Sequence, residues 1–168
     1  MIIIVFYMII SFLLDGLLSN YISTNMINPS YLRTIYSIVF IVVSFNFFEN
    51  KKKYIYLLIA LGVFFDIVYT NTFLVNIVIF IIIYLFLSII DYYLPNNIFT
   101  INLKSLIAIA IYHTMSYMIL LLAHYHNYPL YLLSLILIRS IIMTIIYTTI
   151  SYFFIKKIYY KKYDKSIR

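Results

Sequence analysis

Long apolar runs separated by short polar clusters mark the chain from one end to the other. The runs fall at about residues 2–22, 31–48, 54–69, 73–93, 104–123 and 130–155, each near the roughly 20 residues that carry a helix across a hydrocarbon core. They predict an all-α polytopic membrane protein, a bundle of six transmembrane helices in one domain over 1–155, followed by a basic tail at 156–168. The division between the third and fourth runs follows from length. Tyr54 to Tyr93 is almost wholly apolar, and one helix of that length would extend roughly 60 Å at 1.5 Å per residue, about twice the core of a bilayer. The chain must therefore reverse at Tyr69-Thr70-Asn71-Thr72, forming a transmembrane hairpin.

The other breaks carry ordinary turn chemistry. Asn28-Pro29 closes the first connection, with Pro29 suited to opening the second helix and Arg33 at its mouth, where a long side chain can reach the interface. Glu49-Asn-Lys-Lys-Lys53 ends the second run. Leu94 to Leu103 is the longest internal connection, and His124-Tyr-His126-Asn-Tyr-Pro129 ends the fifth run. The first run has no basic leader and no small-residue cleavage site, so it reads as a retained helix and not as a signal peptide.

Composition narrows the class further. The chain has 168 residues, 65% of them hydrophobic and only 10% charged, under half the charged share of a soluble domain. With no cysteine, disulfides, thiolate metal sites and cysteine nucleophiles are excluded. The net charge of +7 invites a nucleic-acid reading. Its placement argues against one, because the basic residues sit in the Lys51–Lys53 loop, at Lys104 and in the tail. That is how the positive-inside rule distributes charge. An even number of spans puts both termini on one side, and the tail assigns that side to the cytoplasm. Ten of the twelve basic residues then face inward, Arg33 and Arg139 being the exceptions.

Ionisable groups inside lipid normally face other helices or a wet cavity, since a charge at the bilayer centre costs about 2.5–3.5 kcal/mol on insertion scales. Asp15, Asp66 and Arg139 all fall in the outer half by this topology. They predict an intramembrane ion pair, Asp66–Arg139 or Asp15–Arg139; a proton or ion relay would want a longer chain of carboxylates. Ser140, Thr144, Thr148 and Ser151 share one face of the last helix. Such a stripe either lets another helix approach and hydrogen-bond or lines a polar cavity. Ala108, Tyr112 and Ser116 form a shorter one. His113 is expected to bond a neighbouring helix, and His124-x-His126 lacks the further ligands a metal site needs. No phosphate loop, zinc motif or nucleophile–base spacing is present, so neither catalytic residues nor a cofactor are expected.

Two patches together resemble a known family. Phe12-Leu-Leu-Asp15-Gly16-Leu-Leu-Ser19 closes the first span, and Gly62-x-x-x-Asp66 is followed ten residues later by Asn76 at the start of an apolar run. With six spans and a basic tail, the chain resembles the rod shape-determining protein MreD. The positions that match are Asp15, Gly16, Gly62, Asp66 and Asn76. It departs from that pattern at Thr70-Asn71-Thr72-Phe73, where relatives usually show glycine, and at Arg139-Ser140, where an asparagine is common. The resemblance implies a non-enzymatic subunit of the cell-elongation machinery in the cytoplasmic membrane. Its implied partners are an MreC-like protein, MreB-like filaments and peptidoglycan synthases of the RodA and penicillin-binding type. A six-span substrate-binding subunit of a vitamin-type importer has similar length and hydropathy. That family carries alanine-spaced docking residues in an early helix, and the first run here has no alanine.

Overall fold

Where apolar side chains leave no water for the backbone, a helix satisfies its own N–H and C=O groups within one segment. The computed structural model describes residues 2–21, 34–48, 50–70, 72–124 and 129–166, with side chains over 4–17, 34–48, 50–70, 72–124 and 129–158. The described residues are helical and contain no strand. In order they form α1 (Ile2–Tyr21), α2 (Tyr36–Phe45), α3 (Lys51–Phe65) with a π-helical turn (Asp66–Thr70), α4 (Val75–Tyr93), α5 (Ile98–Leu122) and α6 (Leu130–Ser166). Among the described residues four stretches, Lys51–Thr70, Val75–Tyr93, Ile98–Leu122 and Leu130–Ile158, are long and apolar enough to cross a membrane. The connection at 22–33, Arg33, Glu49, Asn71, His126 and the tail's side chains beyond 158 lie outside the described residues.

The second run departs from the sequence expectation. In place of a span over 31–48, the helix covers only Tyr36–Phe45, about 15 Å of rise and half a hydrocarbon core. All ten of its residues are buried. It packs against α1, α4, α5 and α6 and forms the centre of the bundle, with Ile38 to Val43 inaccessible to solvent. Its two ends are therefore inside protein, where unpaired backbone groups are costly. The N-terminal donors are all met. Tyr36 N–H and Ser37 N–H donate to the two carboxylate oxygens of Asp15 on α1, at 2.7 and 2.8 Å. Ile38 and Val39 N–H donate to the Ile35 carbonyl, at 3.1 and 3.2 Å. At the other end Phe47 N–H reaches the Ser44 carbonyl at 3.0 Å. Lys51 Nζ donates to the Phe45 carbonyl at 2.8 Å and lies over the Phe45 ring. An acid at the N-terminus and a cation at the C-terminus each complement the helix dipole.

Three further boundaries move. Asn97 starts α5 through a capping box, accepting from Thr100 N–H at 2.9 Å while its own N–H donates to Thr100 Oγ1 at 3.1 Å. The connection expected over Leu94–Leu103 accordingly shrinks to Leu94–Asn97, and the fifth helix begins six residues before Lys104. Asn50 caps α3 by accepting from Lys52 and Lys53 N–H. The helix of the last run does not stop at 155; α6 continues to Ser166, a length of about 55 Å.

The earlier start of α5 changes the role of Lys104. It is 1% exposed, not a solvated helix end, and donates to Asp91 Oδ1 of α4 at 2.9 Å and to Asn96 Oδ1 at 3.1 Å. Removing one member of a buried pair strands the other charge. Asp91→Asn should therefore lower stability by about 3 kcal/mol, read as the thermal midpoint in mild detergent. Adding Lys104→Met should recover most of that loss, and a double variant no more stable than Asp91→Asn would show that the pair is not the determinant.

Candidate functional site

A second acid does for α4 what Asp15 does for α2. The sequence reverses after α3 through the five-residue π-helical turn, and Leu74 then opens α4 with a left-handed backbone, φ 64°, and no side-chain cap of its own. Asp66, at the head of that turn, is 3% exposed. Its Oδ1 accepts from Thr72 Oγ1 at 2.7 Å, Asn76 Nδ2 at 2.8 Å and Asn76 N–H at 3.1 Å, with Thr70 Oγ1 farther away at 3.4 Å. Convergence of this many donors on one oxygen suits a carboxylate, whose oxygens each offer two lone pairs. Oδ2 is buried with no partner among the described residues. Asn76 extends the network: its Nδ2 also reaches Thr70 Oγ1 at 3.0 Å, and its Oδ1 accepts from the Tyr112 hydroxyl of α5 at 3.0 Å. One polar cluster thus ties α3, α4 and α5 together at the end of the bundle where Asp15 also lies.

The two glycines fix close approaches around these acids. A Cβ at Gly62 would lie 2.8 Å from Ile77 Cα, so α3 and α4 meet there backbone to backbone with no room for a methyl. A Cβ at Gly16 would lie 2.7 Å from the Tyr69 hydroxyl oxygen. Tyr69, in the π-helical turn, crosses to α1, donates its hydroxyl to the Phe12 carbonyl and packs its ring on Phe12 and Phe65 at 4.7 and 4.9 Å. That residue joins the α1–α2 hairpin to the α3–α4 hairpin, and sequence reasoning missed it. A tyrosine three residues after a buried acid, opposite a glycine in another helix, was the available signal.

Among the described residues, no salt bridge joins either acid to Arg139. The Asp66 carboxylate finds its donors in its own hairpin and Asp15 finds its own on the α2 backbone. Among the described residues the salt bridge formed is Lys104–Asp91. The physical reason is local: an uncapped helix start ten or twenty-one residues away offers backbone donors already fixed in direction. Arg139 itself lies half-buried on α6.

Ser140, Thr144, Thr148 and Ser151 are all buried on one side of α6. Thr144 Oγ1 and Thr34 Oγ1 lie 2.8 Å apart, so this face meets the segment that leads into α2. Beside the stripe, the Tyr147 hydroxyl meets Ser11 of α1 at 3.0 Å, and Thr149 accepts from Asn102 of α5 at 3.2 Å. Ala108 and Tyr112 are buried on α5, while Ser116 is half-buried. The His113 ring stands edge-on to Tyr112 at 5.8 Å, and His124 is exposed just past α5. Among the described residues no three metal-ligating side chains gather.

The chain matches no family model, no curated protein and no solved structure. The geometry alone therefore describes the site. Its side chains are engaged with one another, and the arrangement can orient helices and hold their ends.

Two outcomes check this. Gly62→Ala should cost about 2 kcal/mol, because Ile77 backbone cannot yield as a side-chain tip would; an unchanged thermal midpoint would contradict the close contact. Asp66→Asn should cost about 2 kcal/mol through weaker acceptance, and Arg139→Gln should not restore it. In a double-mutant cycle the two should add within about 0.5 kcal/mol, whereas a larger favourable coupling would reinstate the direct ion pair.

Proposed function

We propose that the protein is a non-enzymatic, multi-pass subunit of the cytoplasmic membrane, of the MreD type, that docks partner transmembrane helices within the bacterial cell-elongation machinery. In this reading six helices cross the membrane or lie within it, and both termini face the cytoplasm. The observation that carries the proposal is the joint use of the five positions behind the MreD resemblance. Asp15 caps the buried start of α2, Asp66 accepts from Asn76 in the first turn of α4, and Gly16 and Gly62 admit Tyr69 and Ile77. These residues act on one another to rigidify two hairpins, which supports a scaffold role over a reaction. The exposed faces of α1, with Phe6, Ile9, Leu13 and Leu17, and of α6 offer apolar surface to lipid or to partner helices. The partners in this reading are an MreC-like protein, synthases of the RodA and penicillin-binding type, and, through them, MreB-like filaments.

Co-purification of the full chain in mild detergent tests the proposal. Recovery of an MreC-like protein with a synthase is the expected result. Recovery of an ATPase pair, or of a tightly bound vitamin, would replace it with the substrate-binding subunit of an importer.

A further inference from the structure

The net charge of the chain is concentrated in two separate segments. Residues 49–53 and 156–168 hold nine basic side chains against Glu49 and Asp164, while everything else balances: Arg33, Lys104 and Arg139 against Asp15, Asp66 and Asp91. The whole excess of +7 therefore lies in those two stretches. They are about a hundred residues apart in sequence, yet the fold brings their described parts, the start of α3 and residues 156–157 of α6, to one end of the bundle. Phe47, just before the first, packs its ring against Tyr152 of α6 at 6.2 Å between centroids. Lys156 Nζ in turn sits over the Tyr152 ring at 5.4 Å. Two lysines at this end are used internally, Lys51 on the Phe45 carbonyl and Lys104 on Asp91. Lys52, Lys53 and Lys157 are exposed.

We propose that this end of the bundle is a binding site for the phosphodiester headgroups of anionic phospholipids, held between the start of α3 and the 156–157 turn of α6. The layering fits such a lipid. Exposed aromatic side chains, Tyr56 on α3 and Phe153 and Phe154 on α6, lie within about a turn of these lysines along the same helices, so apolar surface gives way to ammonium groups in the order of acyl chain and phosphate. Lysine ammonium groups serve as compact point charges toward phosphate, without the fork geometry that selects a planar carboxylate. The same position at the ends of membrane-length helices disfavours a soluble acidic partner. Each lysine near an anionic surface contributes about a fivefold preference.

The test uses the full chain in nanodiscs of mixed phosphatidylcholine and phosphatidylglycerol, followed by detergent extraction and quantification of retained lipid. Wild type should retain phosphatidylglycerol preferentially. Lys52→Gln/Lys53→Gln/Lys157→Gln should lower that preference by on the order of a hundredfold. Wild-type preference should fall with added sodium chloride through screening, and inorganic phosphate at the same ionic strength should displace no more lipid than chloride does. The salt titration needs no variant, so it decides the matter even where the triple substitution disturbs folding. Equal retention by wild type and variant, displacement by phosphate beyond that by chloride, or indifference to salt would each overturn the proposal. So would unchanged lipid retention with loss of an acidic protein partner, which would assign the face to that partner.

Discussion

A ten-residue helix placed wholly inside a bundle cannot leave its ends to water, and the architecture follows from that constraint. The first-turn N–H groups and last carbonyls of α2 lie where nothing but protein can meet them. Asp15 supplies two acceptors at one end and Lys51 a donor at the other. The two side chains come from the elements that flank α2 in the chain, so the helix is held at both poles by its sequence neighbours. α1, α4, α5 and α6 then surround it.

The α3–α4 hairpin repeats the device with different parts. Asp66 faces the start of α4 as Asp15 faces the start of α2, and Tyr69 bridges the two units at Gly16. Leu74 occupies a left-handed backbone, which costs a non-glycine residue roughly 1–2 kcal/mol. The hydrogen bonds around Asp66 offset that strain and hold the reversal in one shape. The hydroxyl-bearing side of α6 completes the packing, since Thr144 and Tyr147 contact the α2 entry and α1 through oxygen atoms.

Much of this was legible in the sequence, and the parts that were not share a cause. The apolar runs placed six helices in the right order, and the length limit on 54–93 placed a reversal that the structure puts at the π-helical turn and Leu74. Hydropathy has no means of telling a spanning helix from a short buried one, so the run at 31–48 predicts nearly twice the ten-residue helix it contains. It also missed the start of α5, where Asn97-x-x-Thr100 is a capping signal that outranks the polarity of Asn102 and Lys104. The acids stand out because charge is rare within apolar runs. Their backbone donors do not, because a bare N–H group at a helix start leaves no mark in the sequence, whereas an opposite charge does. Gly16 and Gly62 stood out as letters, but only the opposing Tyr69 and Ile77 explain why a methyl cannot be accommodated.

The short sequence distance between each acid and its donors has a consequence for folding. Asp15 meets residues 21 and 22 positions ahead, and Asp66 meets one 10 positions ahead. Each carboxylate is thus engaged by its own helix pair, and both caps can form before the chain supplies α5 or α6. Asp91 is the exception: its partner Lys104 lies on α5, so that charge is met only when α5 docks.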